Sequence, residues 1–164
     1  MKARGIRNNN PLNIRRSTDR WKGARKEQTD KAFVQFESMA YGYRAAWKTL
    51  QSYHKRFCRQ GKAFTVRNII CRWAPPNEND TETYIRTVLQ LSGIDEQENL
   101  VSPEMLMSYR SLSKLLGAMT VMENGIRPHQ VNTEAIYQGY KMAFPQNAQE
   151  LDEWLLGEDE YGEW

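Results

Sequence analysis

The sequence is short of the residues that build metal centres and disulfide frameworks, with two cysteines and two histidines among its 164 residues. Cys58 and Cys71 are too few to staple a fold, and neither they nor His54 and His129 stand at metal-ligand spacing. A reduced pair of thiols, no metal site and no cofactor are expected. No apolar run of about 18 residues occurs, so no membrane-spanning helix is expected. The amino terminus "MKARGIRNNN" is basic but lacks the apolar core of a secretory signal, so synthesis in the cytoplasm without general secretory export is expected. Internal repeats and low-complexity linkers are also missing.

Acidic residues are scarce in one half only. Residues 1–73 carry 18 Lys and Arg against 4 Asp and Glu, whereas residues 74–164 carry 5 against 16. The net charge of +3 conceals this split. A basic half implies either a surface for an anionic polymer, with nucleic acid and bacterial cell wall both eligible, or two parts that attract each other.

With 40% hydrophobic and 26% charged residues, the chain has the make-up and length of one ordinary globular domain. "FVQF" (33–36) alternates like a half-buried strand, and "NIRR" and "RWKG" offer it partners. From Tyr41 the apolar period becomes helical. It predicts helices over about 40–59, then from a Thr65 cap to "APP", and from Asp80 or Thr81 to Gly93. Ser102-Pro103-Glu104 reads as a helix start. A strong stripe from Leu112 to Met122 ends at "ENG", followed by helices over about 133–144 and 148–156. The expected fold class is α+β, mostly α-helical. It is a single domain over 1–156, with a β-lobe at 1–38, a helical lobe at 39–156 and an acidic tail at 157–164.

Residues 8–53 resemble the bacterial cell-wall glucosaminidases of the flagellar and autolysin type. The likeness rests on Asn9-Asn10, Ile14, Trp21-Lys22-Gly23, Thr29-Asp30, Phe33–Phe36, Ser38 and a helix through Leu50, in the same order. Most of the chain also resembles phage and prophage proteins, described as virion-associated or lysozyme-like, that open with "GIRNNNP-x-NI" and later carry "RWAPP-x-EN-x-T-x-x-Y". The glucosaminidases place a catalytic glutamate before the paired asparagines. Here "MKARGIR" has no acid at all.

The candidate replacement is Glu123, at the end of the amphipathic segment 111–125. Lysozyme-like glycosidases hold their general acid at the carboxyl end of a buried helix, where burial and the helix dipole oppose ionisation. The resemblance therefore implies a lysozyme-like domain in circularly permuted order, with Glu123 facing the lobe of Asn8, Asn9, Asn10 and Trp21. Asp30 is the expected second carboxylate, though it could equally cap a turn. Glu78 and Asn79 are candidate groove residues, though the loop they occupy is also explained by proline stiffening and helix capping.

The implied function is cleavage of the glycan strand of peptidoglycan by general acid catalysis, whether as muramidase, glucosaminidase or lytic transglycosylase. Other virion proteins are further candidate partners. Such a protein would reach the wall after lysis, by holin-assisted release or packaged in a virion. The rival reading is a non-catalytic virion structural or cell-wall-binding protein. A nucleic-acid-binding module is a weaker rival, because the basic residues come with no base-reading motif.

Overall fold

In the computed structural model, which describes residues 1–160, a long central helix organises everything else. That helix, α2 (Met39–Arg59), starts where Ser38 Oγ accepts a hydrogen bond from the Tyr41 amide. Before it stands one helical turn, α1 (Arg4–Arg7). After it come α3 (Val66–Trp73), α4 (Thr81–Ser92), α5 (Tyr109–Asn124), α6 (Thr133–Ala143) and α7 (Ala148–Glu160). Their boundaries follow local chemistry. Thr65, Asp80 and Asn132 cap α3, α4 and α6 through side-chain oxygens. Gly93 and Gly125 close α4 and α5 in left-handed conformations, at φ 70° and 61°.

The core is aromatic at its centre. Trp47 on α2 is fully buried, and its ring meets those of Tyr109, Tyr140 and Phe144 at centroid distances of 5.9, 4.9 and 6.4 Å. Its indole N–H donates to the Ile136 carbonyl at 3.1 Å, so the one polar atom of a large apolar group is satisfied. The Thr120 hydroxyl donates to Leu116 O, leaving its oxygen to accept from the buried Tyr43 hydroxyl at 2.8 Å. Helix α6 can lie close against α2 because Gly139 has no side chain. A Cβ there would stand 2.8 Å from both the Arg44 amide and the Tyr43 Cβ.

The β-lobe expected at 1–38, and with it the α+β class, is corrected. The described residues are mostly α-helical, and strand pairing is confined to two isolated antiparallel bridges, Arg15 with Phe33 and Ala24 with Phe36. The physical reason is that side-chain amides replace the second strand. The Val34 and Phe36 amides do find backbone partners, Ile14 O and Asn8 O. The Gln35 backbone amide instead donates to Gln28 Oε1, and the Val34 carbonyl accepts from Asn10 Nδ2. Alternating sequence therefore yields an extended segment held in an amide net, and no ladder propagates.

Two smaller differences concern helix ends. The start read at Ser102-Pro103-Glu104 is a turn followed by a 3-10 turn at Leu106–Ser108, and α5 begins only at Tyr109. Helix α7 continues past Leu156 to Glu160, and the remainder of the 157–164 tail lies outside the described residues. Among the described residues no helix is long and apolar enough to cross a membrane.

Candidate functional site

The amino-terminal segment folds back onto the carboxyl end of α5. Asn124 Nδ2 donates to Pro11 O at 2.8 Å and to Thr120 O at 2.9 Å, tying the loop to the last helical turn. Gly5 makes the approach possible, since a Cβ there would lie 2.8 Å from Asn10 O and 2.9 Å from Asn13 Oδ1. Leu12 is fully buried, and its carbonyl accepts from the Trp73 indole N–H at 3.3 Å. The sequence neighbourhoods of residues 5–15, 73 and 123 thereby become one place.

Glu123 sits half-buried at that junction. Asn13 Nδ2 donates to its Oε2 at 3.0 Å, and the Tyr84 hydroxyl donates to its Oε1 at 3.1 Å. Burial raises the Glu123 pKa above the ordinary carboxylate value, while the bonds from Asn13 and Tyr84 and the charge of Arg15 partly oppose the shift. Tyr84, itself buried, is raised in turn by desolvation and by the neighbouring carboxylate.

Glu123 lines a groove of about 570 Å³. Its lining comes from Asn13, Ile14, Arg15 and Phe33 of the amino-terminal segment, Thr49 and Tyr53 of α2, Arg72 and Trp73 of α3, and Ala74, Pro75, Glu78 and Asn79 of the loop that follows. The aromatic rings are held in place. Trp73 meets Tyr53 edge-on at 5.8 Å, and the Arg15 and Arg72 guanidinium carbons lie 5.5 Å from the Phe33 ring centroid and 5.0 Å from that of Tyr53. Glu78 and Asn79 belong to this groove. The Asn79 amide donates to Pro75 O at 3.2 Å, and Glu78 stands 3.8 Å from the Arg15 guanidinium.

The remaining sequence candidates lie elsewhere. Asn8 is buried, donating to Asp30 Oδ2 at 2.9 Å and accepting from Gln35 Nε2 at 3.1 Å. Asn9, at φ 51°, donates to Phe36 O. Asn10 is fully buried, with its amide nitrogen shared between Ile14 O and Val34 O and its oxygen accepting from the Ile14 amide. Asp30 takes a two-pronged bond from Arg4, 2.7 Å at each oxygen, and further bonds from the Ala32 and Phe33 amides. The Arg4 contact, the Phe33 amide and the Asn8 amide hold its carboxyl well below the usual carboxylate range. Trp21 packs with Val34, Phe36 and Ala45 and lines a separate hollow with Arg16 and Gln28.

Asn13 and Tyr84, the two residues that grip Glu123, are not read from the sequence as its partners. Asn13 has a signal in retrospect: it holds a left-handed conformation, φ 52°, which asparagine tolerates better than most residues. Tyr84 reads as one more apolar position of α4, and only its hydroxyl contact reveals another role.

No family model matches the chain. It is 34% identical over 145 residues to Protein P5 of Pseudoalteromonas phage PM2, an alignment spanning 87% of this chain and 82% of that protein. The likeness makes this a phage-type protein, while the relative's name states neither an enzymatic nor a structural role. The chain belongs to the family of Protein P5 of phage PM2.

Proposed function

We propose that the protein cleaves the glycan strand of peptidoglycan by general acid catalysis, with Glu123 as the acid. One observation carries this reading: a half-buried carboxyl, its pKa raised by burial, on the wall of an aromatic and polar groove. Departure of a sugar alkoxide needs a proton at the glycosidic oxygen as the anomeric carbon–oxygen bond breaks. Burial favours the protonated form of Glu123 that this step uses. Asn13 and Tyr84 each occupy one lone pair of the carboxyl group, which fixes its plane and leaves a position for the acidic hydrogen.

The Trp73 ring suits the apolar face of a pyranose, and Asn79 suits its hydroxyl and acetamido groups. Glu78, which lines the same groove, would act on water or on the developing cation. Asn10 supports the site indirectly, its carbonyl accepting from the Asn13 amide, while Asp30, Asn8 and Asn9 hold the amino-terminal segment together. Access to the wall would follow lysis, holin-assisted release or packaging with other virion proteins.

Zymography on purified cell wall tests the proposal. Wild-type protein clears the wall and Glu123→Gln does not. Clearing by a folded Glu123→Gln protein would overturn the assignment. A second reading, a wall-binding virion protein without turnover, is favoured by the full engagement of both Glu123 oxygens with protein donors. Wall binding by wild type with no release of sugar fragments would select it.

A further inference from the structure

The groove holds more cationic charge than acid catalysis on a neutral sugar requires. Arg15 and Arg72 both line it, and of its two carboxylates Glu123 is engaged by Asn13 and Tyr84, leaving Glu78 beside Arg15. Arg72 forms no ion pair among the described residues. Its guanidinium lies over the Tyr53 ring, which fixes the position of the fork while leaving its edge donors open. Arg15 is similarly backed by Phe33, and its 3.8 Å approach to Glu78, between exposed side chains, is too loose and wet to consume it. Arg67 provides the contrast within the same basic half. It is spent on Glu82 and Glu96, with a bond of 2.9 Å to the latter.

Two aromatic-backed arginines in a sugar-sized groove form a pre-organised acceptor for a planar, two-oxygen anion. Neutral polysaccharides offer no such group, whereas the stem peptides of peptidoglycan carry free carboxylates beside the glycan. We infer that Arg72, assisted by Arg15, forms a subsite that holds a stem-peptide carboxylate and so selects peptide-bearing glycan over bare glycan. This inference rests on reading the groove as a glycan cleft.

The test is equilibrium binding in the Glu123→Gln background, which halts turnover. Full-length protein is titrated with peptide-bearing glycan strands and with the same strands after their carboxylates are capped as methylamides. Arg72→Gln should weaken binding of native strands by about tenfold, the scale of a lost charge-assisted pair, and leave capped strands unaffected. Arg72→Lys should fall between, since an ammonium keeps the charge but not the fork. Arg15→Gln serves as the second variant should Arg72→Gln fold poorly, with a smaller loss expected.

Equal weakening on native and capped strands, or none on either, would overturn the subsite. Because binding and cleavage are read separately, the two proposals fail separately. Selective carboxylate binding by a protein that cleaves nothing removes only the glycosidase reading. Cleavage abolished by Glu123→Gln but indifferent to capping removes only the subsite. If neither strand binds, both fall.

Discussion

Replacing Gly5 with alanine would test whether the amino-terminal turn is what assembles the acid's surroundings. In an open helical turn this substitution stabilises by about 0.5–1 kcal/mol, through lower unfolded-chain entropy and better helix propensity. Here the new Cβ would meet Asn10 O at 2.8 Å, Asn13 Oδ1 at 2.9 Å and the Asn124 side-chain oxygen. Overpacking of a tight site costs about 1–3 kcal/mol. Displacing Asn13 and Asn124 endangers the bonds to Glu123 and Pro11, each contributing about 1 kcal/mol. The net cost is about 2–4 kcal/mol, a fall in Tm of about 4–16 °C for a chain of this size. Gly117 on α5 is the control, because its nearest neighbour to a new Cβ is Val131 Cγ1 at 3.8 Å. Gly117→Ala should raise Tm by about 1–4 °C. Thermal unfolding of both variants, followed by circular dichroism, decides the matter. An unchanged or raised Tm for Gly5→Ala would refute the close-approach argument.

Three further expectations concern titration. Burial raises the Glu123 pKa, so the folded protein holds that proton more tightly than the unfolded chain does. The associated stability is present below the unfolded carboxylate value and is lost as pH rises through the folded one. Glu123→Gln should therefore gain stability relative to wild type in a Tm series as pH rises from below the ordinary carboxylate range through the folded Glu123 pKa, and a gap constant with pH would count against a buried acid. Tyr84→Phe removes a donor that favours the ionised form, so the basic limb of the pH–activity profile should move to higher pH, and a shift downward would contradict the assigned geometry. Asp30 shows the opposite sign: held low chiefly by Arg4, it contributes stability above the unfolded carboxylate value and loses it as pH falls through its folded pKa. Asp30→Asn should lower Tm at neutral pH and reduce the acid-side loss, and equal acid sensitivity in both proteins would speak against the Arg4 contact.

Much of the helical framework is legible in the sequence because its signals are local. Thr65 and Asp80 ahead of apolar periods, and Gly93 and Gly125 behind them, mark termini of three helices that the folded chain uses. Glu123 at the end of its stripe is legible for the same reason. The amino-terminal part is harder, because "FVQF" has the alternation of a strand while its hydrogen-bond partners come partly from Asn10 and Gln28, whose side chains imitate backbone. Trp73 shows a related ambiguity. It lies on the apolar stripe of α3 and yet turns part of its ring to the groove.

By itself the sequence determined most of the helices, some of their caps, the charge split and a glutamate at a helix end, since each depends on residues within a few positions. Only the tertiary structure decided which asparagine reaches that glutamate. Asn10 is drawn inward to satisfy the Ile14 and Val34 carbonyls and Asn8 to link Asp30 with Gln35, whereas the left-handed turn at Asn13 sends its amide to Glu123, 110 residues away. The carboxyl's raised pKa likewise arises from burial that no short stretch of chain can supply, because it is created when the first residues close over the end of α5.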